Sequence, residues 1–347
     1  MRAAIFNPYL DTLGGGERYV MAVASALVKK NFIVDVEWRD SAIREKLEKR
    51  FGIDLQKVNF VDDIKRGDGY DVCFWVSDGS IPTLKARKNF LHFQVPFTKV
   101  NGNSLLNKFK LMRVNKIICN SNFTKNIIDK EFGVESVVLY PPVSIEKFKP
   151  KKKENIILSV ARFSSLMQSK RQDVLVKTFA AFHKSNKDWK LILAGGVEVG
   201  TNEYMEQLEK EIKEFFPVKK DIVEIIKSPD FKTLKDLFGK AKIFWSAAGF
   251  GIDAEKEPKK VEHFGIAPVE AMAAGAIPIL FNSGGHRETV ENGINGYLWN
   301  DPGDLYGFTK RISIDEKLRK TISVNSIGSS KKYSYEEFEK KFDIILD

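Results

Sequence analysis

Residues 262–281 read Glu-His-Phe-Gly-Ile-Ala-Pro-Val-Glu-Ala-Met-Ala-Ala-Gly-Ala-Ile-Pro-Ile-Leu-Phe, and they follow an apolar run at Ile243–Trp245. The stretch holds one short helix between two strands. Pro268 suits a first helical turn, because the N–H it lacks is one that such a turn leaves unbonded. Gly275 suits the position just past a helix, where a left-handed residue closes it. Ile277–Phe281 is then an unbroken apolar run, as in a strand buried on both faces. Strand, helix and buried strand form a β-α-β unit, which implies a parallel sheet.

The same alternation fills the rest of the chain. Before residue 142, strands are expected at Ala3–Phe6, Ile33–Glu37, Val58–Val61, Val72–Val76, Phe90–Phe93, Lys116–Cys119 and Val137–Leu139. Helices are expected at Glu17–Lys29, Ser41–Phe51 and Asn122–Phe132, the last with Asn120 and Ser121 as cap candidates. Pro141-Pro142 and the basic run Lys149–Lys153 mark a linker. Beyond it come strands at Ile156–Val160, Leu191–Leu193 and Val223–Ile226, and helices at Asp173–His183, Thr201–Phe215 and Leu234–Phe238. A last amphipathic helix covers Ser334–Leu346. The expected architecture is α/β: two doubly wound, Rossmann-like domains with a cleft between them. The first covers residues 1–145 and is completed by helix 334–347; the second covers 146–333. At about 150 residues per domain, 347 residues agree with two.

Ligands in such sheets sit beyond the carboxyl ends of the strands, so the turns there carry the chemistry. Gly14-Gly15-Gly16 lies between the first strand and the first helix. Glycines let backbone N–H groups approach an anion, and the helix offers its positive end; a plain tight turn is the alternative. The run is not G-x-G-x-x-G and no P-loop lysine follows. In the second half, Arg162 follows a strand and Lys170 lies a loop further on. A guanidinium fork and an ammonium there would neutralise a diphosphate together with a helix N-terminus. Glu270 is expected in the first turn of the short helix and Glu262 in the loop before it. A favourable charge at a helix end and a solvated loop carboxylate are the plainer readings of these two.

These pieces resemble the retaining glycosyltransferases of family 4, which have the GT-B fold. The matching segments are GGGERYV (14–20), PPV (141–143), SVARF (159–163), SKRQDVLV (169–176) and EHFGIAPVEAMAAGAIPILFNSGGHRETVENGINGYLW (262–299). The last resembles the family's E-x₇-E element, here Glu262 and Glu270. The resemblance spans nearly the whole chain and implies the site. Glu270 would bind the donor ribose, and Glu262 the sugar hydroxyls near the anomeric carbon. Arg162 and Lys170 would bind the diphosphate. The backbone of Phe264, Gly265, Ile266 and Ala267 would contact sugar and phosphate. Gly15 and Gly16 would close over the diphosphate from the first domain, and His92 would be the first domain's active-site histidine. A buried, satisfied histidine is the plainer reading of His92. The stretch between Arg162 and Lys170 is longer than the family's commonest spacing, so Lys170 and Arg171 both stay open as the phosphate-binding base.

The implied reaction moves a hexose from a nucleoside-diphosphate sugar to a glycan or lipid-linked glycan, with retention and without a metal or cofactor. The 262–299 block is similar to mannosyltransferases of lipid-linked oligosaccharide or surface-polysaccharide assembly. That leans the donor towards GDP-mannose, with UDP-sugars open. Metal ligands are scarce: His92, His183, His263 and His286 show no ligand spacing, and Asp35-Val36-Glu37 lies in a strand.

Composition narrows the partners. Hydrophobic residues are 43% and charged residues 29%, which excludes disorder. No apolar run reaches the roughly 18 residues of a membrane span. The N-terminus reads as a first strand rather than a signal peptide, and two cysteines in apolar runs suit a reduced, cytoplasmic protein. Net charge is +10, and residues 85–130 hold ten Lys or Arg against one acid, net +9. Within that zone, residues 103–114 (NSLLNKFKLMRV) form a basic amphipathic segment. Either it anchors the protein on an anionic membrane surface, peripherally on the inner face, or its apolar residues are core. No nucleic-acid module is present, so no nucleic-acid partner is expected. A sugar-nucleotide epimerase of the same fold and a basic nucleic-acid-binding protein are the rival readings.

Overall fold

The computed structural model describes residues 1–164, 169–197, 201–217 and 221–347. The long stretch after Arg162 lies partly outside these, at residues 165–168. The chain divides into two compact units: Met1–Pro142 with Tyr335–Asp347, and Val143–Ser334.

The first unit runs β1 (Arg2–Phe6), α1 (Gly15–Lys29), β2 (Ile33–Glu37), α2 (Ile43–Phe51), β3 (Val58–Val61), β4 (Val72–Val76), β5 (Lys88–Phe93), α3 (Leu105–Leu111), β6 (Lys116–Cys119), α4 (Asn122–Phe132) and β7 (Val137–Val138). All pairings are parallel, in the order β3-β2-β1-β4-β5-β6-β7. Strand order reverses between β1 and β4, so the turn after β1 stands at the switch point of the sheet. Ser121 caps α4 by accepting from Thr124 N–H, and Gly133, at φ 64°, closes it.

The second unit runs β8 (Glu154–Val160), α5 (Gln172–His183), β9 (Lys190–Gly195), α6 (Asn202–Phe215), β10 (Val223–Lys227), α7 (Phe231–Lys240), β11 (Ala241–Ser246), α8 (Ile266–Ala273), β12 (Ile277–Phe281), α9 (His286–Thr289), β13 (Tyr297–Trp299), α10 (Pro302–Ile314) and α11 (Glu316–Ser330). Its order is β10-β9-β8-β11-β12-β13, again parallel, with the switch point between β8 and β11. The core on one face of this sheet is aromatic, with Phe179, Phe182, Trp245 and Trp299 fully buried. On the other face, Lys153 pins the helices. Its Nζ donates to Ala241 O at 2.9 Å and Ala274 O at 2.7 Å, tying the ends of α7 and α8. Burial pushes that ammonium down to about 7.

The final helix, α12 (Tyr335–Leu346), belongs to the first unit. Phe338 and Phe342 are buried, against Tyr19 and Phe74 respectively. Lys88 Nζ donates to Leu346 O at 2.8 Å.

The structure corrects the sequence reading in two places and decides an open alternative in a third. It assigned no element to 302–330, where α10 and α11 stand. Their polar faces are broad, and α11 buries only Ile322, Ser326 and Ser330, so the periodic signal is faint. The caps Asp301 and Asp315 were the legible cue. Glu270 is the fifth residue of α8, one turn further in than expected. The apolar residues of 103–114 are not all core: Leu105, Leu106, Phe109 and Met112 are 75%, 65%, 70% and 81% exposed.

Candidate active site

In the second unit, Arg162 follows β8, and the loop holding Glu262 leads from β11 into α8. Both therefore stand at the carboxyl ends of the two strands that flank the switch point. Gly195, at the end of β9, allows this: a Cβ there would lie 1.8 Å from Ala161 O, so any side chain would push the Arg162 turn away. Arg162 is exposed, and its carbonyl accepts from Gln172 Nε2 at 3.0 Å.

Lys170 Nζ donates to Glu262 Oε2 at 2.8 Å, and the side chains are only 11% and 20% exposed. Burial alone would raise the Glu262 carboxyl, but the adjacent Lys170 ammonium holds it down at about 2. Glu262 is thus an ionised, partnered carboxylate rather than a solvated one. Arg171 turns elsewhere. In the left-handed region at φ 49°, it grips Asp173 through Nε and Nη2, both at 3.0 Å, and donates from Nη1 to Phe250 O at 3.1 Å. The two adjacent bases therefore face different acceptors, and Lys170 is the one beside Glu262.

Gly265 caps α8 at φ 96°, a conformation that favours glycine. The N–H groups at the start of α8 have no acceptor within their own helix and can turn to an anion. Ile266 and Ala267 are half-buried there, and Phe264 is buried with its ring edge-on to Tyr333 at 5.2 Å. Glu270 is half-buried.

A second loop braces Glu262. A Cβ on Gly284 would meet Glu262 O at 2.2 Å, and one on Gly285 would meet His263 O at 2.3 Å. Gly285 N–H donates to Glu262 O at 2.8 Å. Two glycines stand here because two backbones touch. They bring in a residue the sequence reading left unassigned, His286, which is completely buried. Its Nδ1 lies 2.9 Å from Phe281 O, and its buried Nε2 has no partner among the described residues. The sequence signal was its place directly after Gly284-Gly285. The structure thus gathers Lys170, Glu262, Gly265 and His286.

Gly15, Gly16 and His92 belong to the other unit. Gly15 and Gly16 open α1 behind Gly14. Glu17 reaches back to accept from Gly14 N–H at 2.8 Å and Thr12 Oγ1 at 2.6 Å. Gly16 has its own steric reason, since a Cβ would lie 2.0 Å from Gln94 Oε1. His92 is fully buried near the end of β5, stacked on Tyr19 with centroids 4.3 Å apart. Its Nδ1 lies 3.1 Å from Ile118 O, and Nε2 has no partner among the described residues. Burial pushes this ring down to about 3, so it is neutral at physiological pH.

On α3, Leu111 packs inward, while Leu105, Leu106, Phe109 and Met112 face solvent. Exposed Lys108 and Arg113 flank them. Among the described residues, no helix is long and apolar enough to cross a membrane, and no group of three or more His, Cys, Asp or Glu is placed to hold a metal.

Residues 142–327, more than half of the chain, match the sequence profile of the glycosyl transferases group 1 family. The chain belongs to this family. Among curated relatives it is 28% identical over 295 residues to the alpha-1,3/1,6-mannosyltransferase ALG2 of Kluyveromyces lactis, covering 74% of this chain and 56% of that protein. It is 31% identical over 181 residues to the GDP-Man:Man(3)GlcNAc(2)-PP-Dol alpha-1,2-mannosyltransferase of Dictyostelium discoideum, covering 49% of this chain and 33% of that protein. The matches thus span about half the length of the first relative and a third of the second. Of solved structures, Anabaena HepE in complex with UDP superposes with a TM-score of 0.78 at 17% identity, covering 100% of this chain and 99% of that one. Sucrose-phosphate synthase of Thermosynechococcus elongatus gives 0.72 at 18%, covering 100% and 98%. At such identities the likeness is one of fold, and the fold of this glycosyltransferase family member is GT-B: two parallel, doubly wound α/β domains.

Proposed function

We propose that the protein is a retaining, metal-independent glycosyltransferase. It moves a hexose from a nucleoside-diphosphate sugar, foremost GDP-mannose, to a glycan or lipid-diphosphate-linked glycan, and it needs no further cofactor. The observation that carries this reading is the Lys170–Glu262 pair at the N-terminus of α8, beyond the carboxyl ends of the strands at the switch point. The bond from the anomeric carbon to the diphosphate oxygen breaks with its electron pair leaving on the diphosphate. The acceptor hydroxyl, passing its proton to the departing diphosphate oxygen, closes the new bond on the same face. Charge growing on the leaving group is met by Lys170, Arg162 and the N–H groups of residues 264–267, fixed in place beforehand. Glu262 orients sugar hydroxyls and Glu270 the ribose. In the other unit, Gly15 and Gly16 offer N–H groups to an anion, and His92 takes part as a neutral ring. The donor lean rests on the relatives named as mannosyltransferases, one of them as a GDP-Man enzyme. UDP on HepE keeps UDP-sugars as the alternative.

Thermal shift and calorimetry with GDP, UDP, GDP-mannose and UDP-glucose test this, with Glu270→Ala in parallel. Stabilisation by one nucleotide, lost in the variant, is expected. Stabilisation by none would remove the reading.

The acceptor side of the reading has its own support in α3. Four exposed apolar side chains flanked by bases fit the plane of an anionic membrane, where lipid-linked acceptors reside. On this reading the protein works peripherally on the cytoplasmic leaflet. Co-sedimentation with phosphatidylserine-containing vesicles should fall sharply when Lys108, Lys110 and Arg113 are changed to Glu. Equal binding by both proteins would end this part.

A further inference from the structure

We propose that His286 selects the transferred sugar: the bare Nε2 of its ring accepts a hydrogen bond from a hydroxyl of the donor sugar held beside Glu262. The inference rests on the glycosyltransferase reading of the site and adds a residue to it.

The tautomer follows from the contacts. A neutral imidazole carries one N–H. Nδ1 lies 2.9 Å from Phe281 O, a carbonyl that can only accept, so Nδ1 holds the proton. Burial disfavours the charged ring, although Glu262 pulls the other way. Nε2 is then a lone pair without a proton, buried and without a partner among the described residues. Nearly every buried polar atom in a folded protein has a partner, so a lone pair without one asks for an explanation.

The position of the ring names that partner. The point where a Cβ of Gly265 would stand lies 3.5 Å from Glu262 Cγ and 3.5 Å from His286 Cδ2, the carbon bonded to Nε2. The imidazole edge and the Glu262 side chain thus flank one spot at the start of α8. Contact of Gly284 and Gly285 with the backbone of Glu262 and His263 fixes the spacing. A partner for Nε2 must donate. Ionised diphosphate oxygens only accept, and the Lys170 ammonium, which donates to Glu262, makes no hydrogen bond to Nε2. A sugar hydroxyl donates, and a neighbouring hydroxyl of the same ring can donate to Glu262. The site is therefore built for a sugar with adjacent free hydroxyls, and it disfavours a donor with an acceptor-only group at that position.

Two variants separate selection from structure. His286→Asn keeps a donor where Nδ1 stands but offers nothing at Nε2. His286→Gln can place its Oε1 acceptor near the Nε2 position. The readout is the ratio of Kd for GDP to Kd for GDP-mannose, and of UDP to UDP-glucose, by calorimetry. His286→Asn should lower the ratio roughly tenfold, the scale of one lost hydrogen bond, with the free nucleotide unaffected. His286→Gln should recover most of it. A purely structural role would change both ligands alike, and an unchanged ratio in folded His286→Asn overturns the proposal. If that variant melts far below the wild type, singly deoxygenated GDP-mannose and UDP-glucose on the wild type decide. One deoxy position should then cost about tenfold, and a flat series overturns the proposal. Wild-type protein that binds no nucleotide would overturn the donor-site reading itself, whereas nucleotide binding with an unchanged ratio would overturn only the role of His286.

Discussion

His92 and His286 carry the same local arrangement in two different surroundings. Each ring is fully buried, each sets Nδ1 against a backbone carbonyl, and each leaves Nε2 without a partner among the described residues. Around His92 stand aromatic rings: Tyr19 at 4.3 Å and Phe74 at 5.3 Å. Beside His286 stands the ion pair of Lys170 and Glu262. The same imidazole is therefore walled by aromatic rings in the first unit and stands beside a charged pair in the second. As letters, neither a histidine at a buried strand end nor a histidine after two glycines declares its surroundings. What separates them is whether charge is packed beside them.

The difference can be broken at the charge first. Glu262→Gln removes the carboxylate and leaves Lys170 without its counter-ion. A loss of about a hundredfold or more in kcat is expected, comparable to removal of one preorganised electrostatic partner. Steady-state transfer with the donor found by thermal shift measures it, and a loss under about threefold would detach Glu262 from the reaction.

His92 should reveal itself through acid instead. Its folded pKa, about 3, lies below the ordinary histidine value of 6.5, so the unfolded chain takes up this proton first. Its contribution is intact above pH 6.5 and is lost as pH falls towards 3, at up to about 1.4 kcal/mol per pH unit. His92→Phe should flatten that limb. Urea unfolding at pH 7.5, 6 and 5 would show the variant gaining on the wild type by about 2 kcal/mol over the range. A constant gap would mean that the ring is charged or unburied in solution.

Glycines sharpen the contrast at smaller scale. Gly285→Ala would press a methyl onto His263 O, which is backbone and cannot step aside. A cost of about 1–3 kcal/mol is expected, and with it a weaker distinction between GDP-mannose and GDP. Gly16→Ala presses instead on the amide end of Gln94, a side chain that can swing away. That change should cost under about 1 kcal/mol, read as a small shift in Tm. Equal costs would show that the two close approaches are equally rigid.

Much of this was legible in the letters. The parallel architecture followed from Ile277–Phe281 and its sister runs, because a strand buried on both faces must be apolar along its length. Arg162 and Lys170 stand out because the turn after a buried strand is where a doubly wound sheet places its ligands, whereas the roles of Glu262 and Gly265 come from the family resemblance of the 262–299 block. α10 and α11 were missed because their cores are thin and their polar faces wide. The exposure of Leu105, Leu106, Phe109 and Met112 could not be read either, since an amphipathic pattern does not say whether its apolar face meets protein.

The sequence by itself determined the period of the chain, its division into two α/β halves and the rim on which the charged residues stand, because these depend on local spacing of apolar and turn residues. Only tertiary structure decided which neighbours meet. It sent Lys170 to Glu262 and Arg171 to Asp173, and it enclosed His92 among rings. It also brought His286 beside a carboxylate 24 positions earlier in the chain. Those outcomes depend on close backbone contacts, such as Gly285 on His263, that no one-dimensional pattern encodes.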